Sequence, residues 1–185
     1  MISQPTEIAV FGGGCFWCTE AVFNELKGIK SAMPGYSGGT IKNPTYEAVS
    51  SGKTGHAEVT RIEFDPAEIS FNDLLTVFFA THDPTTPNRQ GNDVGTEYRS
   101  VIFYTNEKQR EEAEKFISTL NTETASGSPV ITEVKPLADF YPAEDYHQKY
   151  FATHGSEPYC QIIIAPKVLK VQKQFVNLLK SQSKN

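Results

Sequence analysis

The sequence predicts an α+β protein: a two-layer sandwich in which helices cover one side of a mixed β-sheet built on a ferredoxin-like core. Three observations carry that expectation. Strand-like and helix-like segments alternate from the N-terminus, with two strand-helix-strand passes in the first half of the chain. Glycine, proline and asparagine punctuate the joints between them. A length of 185 residues suffices for one substantial core and falls short of two ordinary domains, so 1–185 reads as a single domain.

Glu7 to Phe11 is a short strand-like run ending in Gly12, Gly13 and Gly14, and a helical pattern follows with Phe16, Ala21, Val22 and Leu26 on one side. A second extended stretch, Ile29 to Tyr36, is closed by Ser37, Gly38 and Gly39, and a short helix starts near Pro44 and includes Tyr46 and Val49. His56 to Phe64 reads as a strand whose imperfect alternation, through Ala57, Val59 and Ile62, allows a bulge or burial of both faces. Ser70 is placed to cap a helix containing Leu74, Leu75, Val77 and Phe78, with Asp73 as an acidic partner in its first turn. Asp83, Pro84 and Pro87 stop it. The polar segment from Thr81 to Glu97 is long for a loop that does no work. Ser100 to Tyr104 is a strand, and Asn106 caps a charged helix through Leu120. Val130 to Val134 suggests a strand, Pro142 to Thr153 a short helix, Gln161 to Ala165 a strongly apolar strand, and Lys167 to Leu179 a final amphipathic helix before a frayed end.

A charged fraction of 21% and a net charge of -5 describe a mildly acidic, soluble surface. That argues against a nucleic-acid or anionic-membrane partner and leaves proteins and small molecules. The opening residues carry no export signal, and no apolar run approaches the roughly 20 residues of a spanning helix, so a cytoplasmic location is the default. Cys15, Cys18 and Cys160 are too few for a disulfide scaffold.

Chemistry concentrates at GGGCFWCTE. Cys15 follows three glycines at a strand-to-helix turn, where a helix N-terminus stabilises an anion and glycines let the backbone approach a reacting group. A free thiol with a pKa near 8.5 needs such help to react as thiolate at neutral pH. Phe16 and Trp17, the only tryptophan, add an aromatic surface beside the sulfur. Cys15 and Cys18 form a CxxC pair, the arrangement of thiol-disulfide oxidoreductases, and that reading stands as the alternative. A metal site is not expected, because no second CxxC or histidine pair completes four ligands.

Beyond that segment the chain resembles the methionine sulfoxide reductase A family. GGGCFW, GYSGG, NPTYEAV, TGHAEVTR, NDVGTEYRS and YCQIIIAPK occur in the family's order over most of the chain. The resemblance implies that Cys15 attacks the sulfur of methionine S-sulfoxide, free or in proteins, and that Phe16 and Trp17 hold its methyl group. It implies that Glu58 supplies the proton the oxygen needs, that Tyr46 and Tyr98 hydrogen-bond that oxygen, and that Asp93 anchors the substrate main chain. Glu58 must then stay protonated near neutral pH, which desolvation favours. His56, Arg61 and Arg99 read as structural. Protein repair after oxidation, thioredoxin as reductant, no cofactor and a monomer complete the implied picture.

Reuse of Cys15 requires a second thiol to convert its sulfenic acid into a disulfide. Family members often have glycine where Cys18 stands and often carry a C-terminal resolving cysteine near the position of Cys160. Cys160, however, leads straight into QIIIAPK without flexible glycines, and Cys18 lies one helical turn from Cys15. Both remain candidates, with Cys160 slightly preferred.

Overall fold

The computed structural model describes residues 5–123 and 127–181. Its centre is a curled six-stranded mixed sheet in the order β7-β6-β1-β3-β2-β8. The strands are β1 (Glu7–Gly12), β2 (Ile29–Ser37), β3 (Ala57–Phe64), β6 (Val101–Tyr104), β7 (Glu133–Pro136) and β8 (Phe140–Pro142). Every neighbouring pair is antiparallel except β6 and β7, which run parallel. A small hairpin, β4 (Arg89–Gln90) with β5 (Asp93–Val94), stands apart inside the long polar segment.

Helices α1 (Phe16–Asn24), α3 (Phe71–Thr81), α4 (Glu107–Glu123) and α6 (Ala165–Gln174) join α2 (Tyr46–Ser50) and the single turn α5 (Tyr150–Thr153). The principal core gathers Ala9, Phe11, Phe23, Ile62, Leu74, Leu75, Phe78 and Val171. Phe11 stacks on Phe23, Phe71 and Phe78 with ring centroids 5.5, 5.9 and 4.8 Å away. Val10, Ala57, Val59, Val101 and Phe103 form a smaller cluster. Alternate residues of β1 therefore enter two different clusters, and the strand is buried on both faces. β3 does the same, which explains its blurred alternation; the irregularity in pairing lies in β2, between Ile29 and Ser31.

The sequence-based start of α3 holds in detail. Ser70 Oγ accepts from the Asp73 N–H while the Asp73 carboxylate accepts from the Ser70 N–H, a reciprocal capping box that satisfies two otherwise orphaned donors. Asn106 Oδ1 likewise accepts from Gln109 N–H at 2.9 Å, before α4.

The C-terminal half departs from expectation in four places. Gln161 to Ala165 is no strand: Cys160–Ile164 forms a π-helical turn that runs directly into α6. Cys160, Ile164, Val168 and Val171 recur at helical spacing and are buried, whereas Ile162 between them is 69% exposed. The apolar run is thus one edge of a helical stripe, and Pro166, which has no N–H to donate, stands where the π-helical turn gives way to α6. Pro142 to Thr153 is not one helix. It holds β8, a 3-10 turn at Asp145–His147 and α5, because Lys149 adopts a left-handed φ of 54° that interrupts any helix. The strand expected at Val130 to Val134 pairs further on, at Glu133–Pro136. The last helix ends at Gln174, and a 3-10 turn at Val176–Leu178 brings Leu179 back to bridge Leu26. The expected fraying falls partly on 182–185, outside the described residues. Among the described residues no helix is long and apolar enough to cross a membrane.

Candidate active site

Cys15 is the N-cap of α1, a partly buried residue with extended backbone angles of -60° and 128°. The preceding turn needs glycine. Gly14 has φ 89°, and a Cβ there would lie 2.6 Å from the side chain of Gln90. A Cβ on Gly12 would meet the Glu58 carbonyl oxygen at 2.9 Å, so this strand can close on β3 only without a side chain.

Glu58, on β3, is 2% exposed and reaches the same helix start, where its Oε2 accepts the Phe16 N–H at 3.1 Å. Burial pushes its carboxyl up to about 8, against the lowering effect of that N–H, with Asp93 and Glu97 adding like charge. At neutral pH it carries a proton. The first N–H of α1 therefore serves Glu58, and the thiol is not stabilised as the helix start alone would suggest. Burial first, then a hydrogen bond with Cys18 and the charge of Glu58, push the Cys15 thiol up, while a backbone N–H at Trp17 works the other way. Cys18 behaves oppositely: the bond from Cys15 lowers it to about 7 in spite of burial, with help from Lys167 and Tyr159. The proximity of the two thiols thus favours the anion on Cys18 over Cys15.

An aromatic enclosure surrounds this pair. Phe16 is buried, with its ring 5.7 Å from Tyr36 and 5.1 Å from His147. Trp17 lies flat on Tyr150, centroids 3.7 Å apart and planes within 4°, and its Nε1–H donates to His147 Nδ1 at 3.1 Å. The proton of the neutral imidazole then sits on Nε2, which has no hydrogen-bond partner and lies 4.0 Å from Glu144 Oε2. Tyr46 packs its ring 4.6 Å from His147. Glu144 fixes that corner by accepting the Tyr36 O–H and the Tyr46 N–H, each at 2.8 Å. Burial, then the charge of Glu58, pushes Tyr98 above the usual phenol range, and Tyr46 is also raised, chiefly by burial, so both remain O–H donors.

Asp93 lies on β5 and accepts the Tyr159 O–H at 2.8 Å. Cys15, Cys18, Asn92, Asp93, Tyr159 and Ile162 line a depression of about 480 Å³ between the hairpin and the π-helical turn. Cys160, one residue from Tyr159, is fully buried beside Cys18, Ala21, Ile164 and Val168. The residues expected to be structural behave so. His56 Nδ1 accepts the Gly39 N–H at 3.0 Å and its Nε2 meets the Ile41 carbonyl at 2.7 Å. Arg61 pairs with Glu63 at 3.7 Å, and Arg99 with Glu133 at 3.6 Å. Glu144, His147 and Tyr150 lie outside the motif segments, and the aromatic density of YPAEDYHQKY is the signal that marks them; Tyr159 opens the YCQIIIAPK segment.

A soft nucleophile, a protonated buried carboxyl, two phenols and an aromatic wall can together accept a small polar S–O group and protonate its oxygen. A family model described as peptide methionine sulfoxide reductase matches residues 7–179. A Sulfolobus acidocaldarius protein named peptide methionine sulfoxide reductase MsrA is 54% identical over 169 residues, 91% of this chain and 95% of its own length. The structure of Mxr1 from Saccharomyces cerevisiae in reduced form superposes with a TM-score of 0.77 at 29% identity, covering 85% of this chain and 91% of that one. Mxr1 in complex with Trx2 matches with a TM-score of 0.55 at 21% identity over 80% and 86% of the two chains, a likeness of fold alone.

Proposed function

Because the chain belongs to the peptide methionine sulfoxide reductase family, we propose that Cys15 is its nucleophile, that Glu58 is its acid, and that the S-epimer is its substrate. The protein reduces methionine sulfoxide to methionine at the expense of thiols. The observation that carries the assignment of roles is the Glu58 carboxyl: buried, raised to about 8, and bonded to the N–H next to Cys15. A carboxylic acid that stays protonated at neutral pH can hand its proton to an oxygen leaving sulfur.

In the proposed cycle the methyl group rests against Phe16 and Trp17, while the O–H groups of Tyr46 and Tyr98 meet the sulfoxide oxygen. Asp93 holds the main chain of the substrate. As Cys15 attacks the sulfoxide sulfur, its proton passes along the existing hydrogen bond to Cys18, and Glu58 protonates the oxygen. The S–O bond breaks, the hydroxyl ends on Cys15 as sulfenic acid, and methionine leaves.

Cys18 is the resolving residue in this reading. Its thiol interacts with that of Cys15 and lines the same depression, which Cys160, buried in the π-helical turn, does not line. The Cys18 thiol attacks the Cys15 sulfur; the proton it took from Cys15 passes through the Glu58 carboxylate to the hydroxyl, which leaves as water, a disulfide forms, and Glu58 regains a proton from solvent before the next turnover. The N-cap backbone of Cys15 is extended, which eases the strain of a bond across the first turn. A dithiol then reopens the disulfide. Thioredoxin is the proposed reductant, since the similar Mxr1 has been solved with Trx2.

We further read the four strands β6-β1-β3-β2, with α1 and α3 between them in the chain, as a ferredoxin-like core in a two-layer sandwich. A single-domain monomer that repairs oxidised proteins in a cytoplasm completes the proposal. Turnover of S-methionine sulfoxide with dithiothreitol, absent in Cys15→Ser, is the expected result; turnover in that variant would remove Cys15 from the role. Insulin reduction without sulfoxide turnover would favour the plain oxidoreductase reading of the CxxC pair instead.

A further inference from the structure

We infer that Glu20, which no step of the cycle uses, is a positioning residue: its carboxylate clamps the backbone at Lys149 and Tyr150 and so holds the aromatic wall of the sulfoxide pocket in place. Glu20 lies on α1 three residues after Trp17 and is 1% exposed. Its Oε1 accepts the Lys149 N–H at 2.7 Å, and the Tyr150 N–H is directed to the same carboxylate.

What the clamp secures is the far end of a loop wrapped around one indole. His147 takes the Trp17 N–H on one side, and Tyr150 covers the ring face at 3.7 Å on the other. Between them Lys149 has φ 54°, a left-handed conformation that a lysine holds only when its surroundings impose it. The Glu20 bond is made at that residue. Burying a carboxylate is costly unless N–H groups satisfy it, and an apolar side chain at this position would leave the Lys149 N–H without its acceptor. The charged groups around Glu20 are Glu25, Lys149 and Lys180, which line the same depression with it. Burial raises its carboxyl to about 7, the two backbone N–H bonds and Lys149 opposing.

The inference rests on the sulfoxide-reductase reading for its meaning but not for its readout. Trp17 is the only tryptophan, so its emission reports the Tyr150 stack directly and needs no turnover. The experiment uses the full chain as wild type, Glu20→Gln, Glu20→Ala, Tyr150→Ala and the double alanine variant. Glu20→Ala should shift emission to the red towards the value of Tyr150→Ala. Its KM for a sulfoxide peptide should rise roughly two- to tenfold, the worth of one aromatic pair, with kcat changed by less than about twofold. The double variant should be no worse than Tyr150→Ala alone, because the two residues act through one contact. A folded Glu20→Ala with wild-type emission and KM overturns the inference, as does a double variant whose losses multiply. Should Glu20→Ala fail to fold, Glu20→Gln, which keeps one acceptor oxygen, must give an intermediate emission shift; wild-type emission there is equally fatal.

Discussion

Replacing Glu58 by glutamine separates acid catalysis from shape. The amide keeps a carbonyl oxygen that can accept the Phe16 N–H now received at 3.1 Å, and the side-chain volume hardly changes, so the start of α1 should survive. What disappears is a transferable proton. Removing a positioned general acid costs typically 10²- to 10⁴-fold, so kcat should fall by about that factor while KM moves little. Stability should move the opposite way. The carboxyl is raised by burial from 4.5 to about 8, so between those pH values the unfolded chain is ionised while the folded one holds its proton. Each pH unit above 4.5 then costs the folded state about 1.4 kcal/mol, until the folded carboxyl also ionises near 8. At pH 7 the penalty is about 3 kcal/mol, and the variant, whose amide does not ionise, escapes it. Urea melts should show Glu58→Gln more stable than wild type at pH 7 and nearly equal at pH 4.5. Sulfoxide turnover within threefold of wild type, or equal stability at both pH values, would refute the reasoning.

Other expectations follow from the same geometry. Wild-type kcat should decline as pH rises through about 8, where Glu58 loses its proton, and an activity plateau to pH 10 would contradict the acid assignment. Cys160→Ser should retain recycling by a dithiol reductant, measured as multiple turnovers with thioredoxin, whereas Cys18→Ser should release one methionine and stall. Ser70→Ala should cost about 1 kcal/mol in a denaturant melt through loss of the capping box and leave turnover unchanged. A change in KM there would mean that α3 communicates with the site.

Local rules recovered the elements whose cause is local. The Ser70 and Asp73 pair, the Asn106 cap and the glycine turn before Cys15 each satisfy or free particular backbone groups, and the sequence displays those groups directly. The strand order does not follow from such rules, since it depends on pairings over dozens of residues. The run of three isoleucines fits a strand or a helix equally well, as a short apolar stretch does; only the longer series Cys160, Ile164, Val168, Val171 distinguishes them. Within the site, the motif segments named Cys15, Phe16, Trp17, Tyr46, Glu58, Asp93 and Tyr98, but not the loop that supports them. His147 and Tyr150 matter through tertiary stacking on Trp17, and Lys149 owes its left-handed backbone to a glutamate on a helix 129 residues earlier. The thiol balance was also hidden. A helix start favours a lowered Cys15 thiol, yet Glu58 occupies the first N–H, and burial with Cys18 beside it pushes that thiol up.

The most direct test of the account is a single turnover without reductant, read by methionine release and by mass spectrometry of the digested protein. One methionine per chain and a disulfide joining Cys15 to Cys18 are the predicted outcome. No methionine release, or release that persists in Cys15→Ser, would contradict it.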